Sequence, residues 1–240
     1  MTEGRSLHPV SLSERSHRFS YRFLFIPGTI GSITWLALNE EKVHRIRHGL
    51  VLALLGDAGP FTYKRSRRGD AEIDRVVAHL LGGLPGGNRV RDFTPYGYDE
   101  RQFCSPGFNL SVGSLMRTPN GEYPEYHTSA DNLDFVTPGR LAESYALCLS
   151  IIDVLENNRT YLNLSPKCEP QLGRRGLYRP MGGDAMSPES EMSLLWVLNL
   201  SDGHSTLLDI AERSRLSFEA VRSAADTLRA SGLLATCENR

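Results

Sequence analysis

The stretch Tyr21–Asp57 reads YRFLFIPGTIGSITWLALNEEKVHRIRHGLVLALLGD, and its alternation decides the fold class. Tyr21 to Ile26 is an apolar and aromatic run closed by Pro27 and Gly28, the pattern of a buried strand. Ile30 to Arg47 places Ile33, Leu36, Ala37, Val43 and Ile46 close to a 3.6-residue repeat, which predicts a helix. Gly49 ends that pattern. Leu50 to Leu55 (LVLALL) is a second short apolar run, stopped by Gly56 and Asp57. Strand, helix, strand predicts an α/β fold with a mostly parallel sheet and helices on both faces. In such sheets ligands collect beyond the carboxyl ends of the strands. Gly28 and Asp57 each follow an expected strand and so fall on that edge.

The alternation continues down the chain. Asp70 to Leu81 is an amphipathic helix with Ile73, Val76, Val77, Leu80 and Leu81 on one side. Arg89 to Phe93 is a short strand, Leu110 to Met116 a weaker one, and Pro138 to Asn157 a long helix. Tyr96 to Phe108, dense in Gly, Pro and aromatic residues, reads as a functional loop. Four segments result: an irregular lead-in over 1–18, an α/β domain over 19–160, a linker rich in Pro, Gly and Arg over 161–187, and a small domain over 188–240. The last holds helices over Glu191–Leu200, Leu207–Ser214 and Ser217–Ser231, with Ser217 as N-cap, Gly232 as stop and a wing strand over Leu233–Cys237. The tight turn at Arg215–Ser217 makes the last two helices a helix-turn-helix.

Composition narrows the function classes. With 240 residues, 40% hydrophobic and 23% charged, the chain has room for one large core and a small second one. The 27 basic and 28 acidic residues, net charge −1, lack the basic footprint of a nucleic-acid binder. Cys104, Cys148, Cys168 and Cys237 form no CxxC pair and read as free thiols in a reducing compartment. No apolar run approaches the ~18 residues of a membrane span, and the polar start lacks a signal-peptide core. These features predict a soluble, cytoplasmic protein without a membrane partner.

The sharpest chemical string is His127–Asp134, HTSADNLD, between Tyr126 and the long helix. A histidine there can offer a ring nitrogen to a metal, with the carboxylates ordering the loop around it; the alternative is a structural histidine. Asp99, Glu100 and Arg101 in the aromatic loop are candidates for holding a substrate amine or carboxylate, or for plain local ion pairs. Lys64, Arg65, Arg67 and Arg68 form a basic cluster that reads as a solvated face. Gly56–Pro60 is glycine-rich but lacks the Lys-Ser/Thr ending of a phosphate loop. On the last helix Arg222 and Arg229 sit among Glu219 and Asp226, too balanced for strong phosphate binding. Protein contacts or intramolecular packing suit that domain better than DNA.

HTSADNLD resembles the HT-x-x-D-x-L-D segment of the superfamily of zinc aminopeptidases and glutaminyl cyclases. Together with YRFLFIPGTIGSITWLALNE, LLGDAGPFTYKRSRRGD and YGYDERQFCSPGFNL, it is similar to a bacterial aminopeptidase-like family with a C-terminal winged helix, sometimes labelled as linked to polysaccharide biosynthesis. The likeness covers roughly residues 19–235 and resembles that family's C-terminal half. It implies a partial zinc-aminopeptidase-like three-layer α/β domain, with Asp57 as a metal-edge carboxylate and His127 as the closing zinc ligand. It implies metal-dependent hydrolysis of a peptide or amide bond, with a small molecule or peptide as substrate. A homo-oligomer fits this expectation. Departures accompany it. His8-Pro9 echoes the family's His-Pro, yet no aspartate follows before Tyr21. Where active members carry a Glu-Glu pair, Gly28 and Thr29 stand, and neither can transfer a proton as a carboxylate does. A non-catalytic binding module and a winged-helix DNA regulator are the alternatives.

Overall fold

Four short strands form the larger sheet of the computed structural model, which describes residues 17–177 and 188–237. They are β1 (Gly49–Leu52), β2 (Thr62–Lys64), β3 (Arg89–Arg91) and β4 (Val112–Met116), in the order β1-β4-β2-β3. β1 runs parallel to β4 with Gly49 opposite Val112, and β2 parallel to β3 with Thr62 opposite Arg89. β4 and β2 are antiparallel, with Tyr63 opposite Leu115. The sheet is therefore mixed rather than mostly parallel. β2 is the cause: three residues are too few to show a period.

β4, weak by composition, is a central strand buried along its whole length. Gly113 explains how it fits. A Cβ at this position would run into the Tyr63 ring, so the close approach requires glycine. The Tyr63 hydroxyl donates to Asp74 Oδ1 at 2.8 Å, and Asp74 also accepts from the Ser66 amide and hydroxyl, each at 2.6 Å. Asp74 lies in α2 (Glu72–Gly83), whose Ile73, Val76, Val77 and Leu81 form the buried face. On another side of the unit, Leu36 of α1 (Ile30–Asn39) packs with Val43, Phe103, Leu110 and Val112. A 3₁₀ turn over Glu40–Arg45 follows α1. A four-residue helix α3 (Glu100–Phe103) interrupts the aromatic loop, and α4 (Pro138–Asn157) falls on the expected bounds.

Tyr21–Ile26 departs from its reading. It is not a strand, and Phe23 and Phe25 are 66% and 95% exposed. A run becomes a buried strand only where a neighbour meets its backbone groups; none does among the described residues. Side chains hold this segment instead. The Tyr21 hydroxyl and the Phe19 amide donate to Glu156 Oε1 at 2.6 and 3.2 Å, and Arg22 lies over the Trp35 ring.

The first compact unit ends at Glu156 and the second begins at Asn157. In the second, β5 (Thr160–Asn163) is the middle strand of an antiparallel sheet, between β6 (Asp202–Thr206) and β7 (Leu234–Thr236). The expected linker over 161–187 thus begins inside a strand, because Tyr161, Leu162 and Asn163 pair with Thr236, Ala235 and Leu234. Its residues 178–187, and His8 of the lead-in, lie outside the described residues. Helices α5 (Pro188–Leu200), α6 (Leu207–Ser214) and α7 (Phe218–Ala230) complete the unit. Thr206 caps α6 by accepting from the Asp209 amide at 3.2 Å, and Ser217 caps α7 through Ala220 at 3.2 Å. Arg215, at φ +60°, makes the left-handed turn between them.

Candidate functional site at the ends of β1 and β4

Because β1 and β4 are parallel neighbours, the loops that leave their carboxyl ends start side by side. Asp57, on the first loop, is buried. Its Oδ1 accepts from the Thr118 hydroxyl at 2.7 Å and the Gly59 amide at 2.6 Å, and its Oδ2 accepts from the Thr118 amide at 3.2 Å. A Cβ on Gly59 would meet Thr118 Oγ1, so glycine permits this closure. Arg117, 2% exposed, sends Nη1 to the Gly59 carbonyl at 2.8 Å and Nε to Ser144 Oγ at 3.1 Å. Its guanidinium covers the Phe61 ring at 4.2 Å and pairs with Glu143 at 2.6 Å. The end of the second loop returns where the Thr137 amide donates to the Gly56 carbonyl at 3.0 Å. Gly56 leaves the room that Val136 occupies.

The second loop carries the aromatic and histidine residues. Tyr123 stacks on Phe135 at 5.2 Å and meets Tyr126 edge-on at 5.5 Å, and Tyr126 lies 4.1 Å from the His127 ring. The Tyr123 hydroxyl donates to Asp131 Oδ2 at 3.4 Å. Burial first, then the charges of Asp131 and Asp57, push its pKa up to about 12. Asp57, Asp131 and Tyr123 therefore share one electrostatic neighbourhood. His127 is exposed and holds φ +58°, a left-handed conformation uncommon outside glycine. No hydrogen bond or ion pair joins His127 to Asp57.

A catalytic zinc takes about three protein ligands and an open position. The described residues do not fit it. Both Asp57 oxygens already accept hydrogen bonds, and no group of three His, Cys, Asp or Glu side chains among the described residues could hold a metal. Gly28 offers no carboxylate, and the Tyr98 ring fills the place a side chain there would take. No hydrolytic step is therefore derived through zinc.

The aromatic loop is built differently from its reading. Glu100 is 1% exposed and forms an ion pair with Lys64, and it accepts from the Tyr98 amide at 3.1 Å through Oε2. Lys64 Nζ also donates to the Tyr96 carbonyl at 2.7 Å. Glu100 thus locks a turn rather than lining a pocket: a buried lysine needs a counter-charge, and the turn brings it. Asp99 is buried and Arg101 half-buried; Asp99 Oδ1 and Arg101 Nε have no hydrogen-bond partner among the described residues. Arg65, Arg67 and Arg68 bind the Gly69 carbonyl, Asn109 Oδ1 and the Asn109 carbonyl at 2.6, 2.9 and 3.1 Å. The basic cluster is mostly tied down, and Lys64 is buried rather than solvated. Thr118, Arg117 and Tyr123 escaped the sequence reading. Only the aromatic spacing of Tyr123, Tyr126 and Phe135 could have signalled the last.

In the second unit Arg222 pairs with Glu219 at 2.5 Å and Arg229 with Asp226 at 3.5 Å, each one turn along α7. Both arginines already face a carboxylate.

The sequence model of a family described as Domain of unknown function (DUF4910) matches residues 6–158, and one described as winged helix-turn-helix matches 159–236. A Clostridium acetobutylicum protein, provisionally described as a polysaccharide biosynthesis protein with aminopeptidase-like domain, is 54% identical over 218 residues. The match covers 91% of this chain and 50% of that protein. A crystal structure from Clostridium acetobutylicum, provisionally described as a peptidase, superposes with a TM-score of 0.87 at 51% identity, over 95% of this chain and 50% of that one. An aminopeptidase from Aneurinibacillus sp. gives a TM-score of 0.42 at 20% identity, over 53% of this chain and 30% of that one, and carries no argument. The chain spans about half the length of the curated relative it matches.

Proposed function

Since this chain belongs to the DUF4910 family and is a homologue of aminopeptidase-like proteins, we propose that it is the substrate-recognising part of an aminopeptidase-like hydrolase of a peptide or amide bond. The observation that carries the reading is the Asp57–Thr118 junction. It fixes the loops after β1 and β4 together on the edge where open α/β sheets bind ligands. His127 and the Tyr123–Tyr126 aromatic pair are the groups presented there. An exposed imidazole beside aromatic faces can hold a peptide or aminoacyl amide by hydrogen bonding and ring contact. With Gly28 and Thr29 at the carboxylate positions, these residues bind and orient without moving a proton.

Thermal-shift titration with leucinamide and a dipeptide amide, beside aminoacyl-nitroanilide turnover and zinc content, tests this. A saturable shift weakened several-fold by His127→Ala, without turnover by the chain alone, is expected. Turnover with one retained zinc, or no shift with any amide, would sink it. An N-acyl amino sugar belongs in the panel, because the relative's description names polysaccharide biosynthesis.

The winged helix serves protein packing in this reading. The Glu219 and Asp226 pairs cancel the arginines that a DNA backbone would need.

A further inference from the structure

The two edges of the larger sheet are not alike. β3 carries Arg89 and Arg91 and so presents charge at its edge, the usual guard against unwanted pairing. β1, at the other edge, is Gly-Leu-Val-Leu, with no charge, proline or bulge. The Gly49 and Ala53 amides donate to the Ser111 and Leu115 carbonyls of the β4 side. Alternate residues Leu50 and Leu52 consequently turn their N–H and C=O groups the other way, where no described strand lies. Leu52 is half exposed. Parallel strands with apolar side chains normally lie inside sheets.

An apolar surface on the same unit repeats the pattern. α1, IGSITWLALN, has no charged residue. It buries Leu36 in the core, yet Ile30, Ile33 and Leu38 on other faces are 62%, 46% and 79% exposed. A helix apolar all round belongs in an interior. Ile26, Pro27, Ile30, Trp35 and Leu38 line a shallow depression, next to exposed Phe23 and Phe25. Exposed apolar surface of this extent marks an interface.

We propose that the β1 edge and this apolar surface together form a docking face for another stretch of polypeptide, which adds a strand beside Leu50–Leu52 and covers α1. The occupant is the part of an aminopeptidase-like chain that lies outside the match to this one. The relative is twice as long as its shared portion, so a matching half exists to be received. Strand addition supplies main-chain hydrogen bonds to Leu50 and Leu52, and the apolar side chains supply the burial.

Co-expression of the tagged chain with the unmatched half of the Clostridium acetobutylicum relative tests the proposal, read by co-purification, sedimentation and amide hydrogen exchange rather than turnover. The expected result is a one-to-one complex, with the Leu50 and Leu52 amides exchanging quickly in the chain alone and at least tenfold more slowly in the complex. Leu52→Lys and Ile33→Glu, both exposed and checked for fold by circular dichroism, should abolish it. Failure to co-purify, a complex indifferent to both variants, or Leu50 and Leu52 amides already slow in the isolated chain overturns the proposal. A homodimer lost on Leu52→Lys overturns it in favour of a second copy as occupant. Because the readout is association, a negative result for amide binding leaves this test standing, and the reverse holds as well.

Discussion

Asp57 and Thr118 lie 61 positions apart, yet the aspartate accepts from both the amide and the hydroxyl of the threonine. That contact closes the carboxyl-end platform of the parallel pair. Removing its hydroxyl leaves a buried carboxylate oxygen short of a donor, which costs about 1–3 kcal/mol. Thr118→Val should lower stability to urea by about that amount, while Thr118→Ser, which keeps the hydroxyl, loses far less. Equal losses for the two would show that the methyl group matters and the hydrogen bond does not.

Arg117 holds the same platform from below. It joins the Gly59 carbonyl, Ser144, Glu143 and the Phe61 ring. Arg117→Ala leaves several acceptors unpaired and should destabilise the first unit by about 3 kcal/mol. Arg117→Lys should recover only part, since an ammonium cannot reproduce the planar fork. Chemical denaturation followed by Trp35 fluorescence separates the two, and full recovery by lysine would count against the fork geometry.

Glu156 anchors the segment before α1. Burial raises its pKa, but the Tyr21 hydroxyl and the Arg18 and Phe19 amides outweigh this, and the folded value is lowered from the usual 4.5. A depressed carboxylate contributes stability above its unfolded pKa and loses it as the pH falls through the folded one. The stability gap between the wild type and Glu156→Gln should therefore be full at neutral pH and shrink on acidification below 4.5. A gap that is constant with pH would deny the carboxylate this role.

The cysteines should react in a fixed order. Cys168 is exposed, whereas Cys104 is buried. Burial raises the Cys104 pKa and pushes that of half-buried Cys148 up to about 11. Thiolate fraction and access together govern labelling. Maleimide modification followed by mass spectrometry at neutral pH should mark Cys168 well before Cys104 and Cys148. Early labelling of Cys104 would mean that the β4 region opens.

Much of the molecule was legible along the chain, because helices and caps are local. Pro138–Asn157 and Leu207–Ser214 appear on their expected bounds, and Ser217 caps its helix as read. The α/β class and the family likeness were legible too, through segments such as LVLALL and HTSADNLD. What depends on distant partners was not. Tyr21–Ile26 has the composition of a strand, but pairing decides a strand, and no described neighbour pairs with it. β2 is three residues long and owes its existence to β4 and β3. Thr118 and Arg117 acquire their roles from residues tens of positions away, and Glu100 became a lock only because Lys64 is buried against it. The sequence by itself therefore determined the local elements and the family, since short-range periodicity and capping encode them. Only the tertiary structure decided which loops meet at the carboxyl ends of β1 and β4 and which apolar faces stay open, since both depend on long-range pairing.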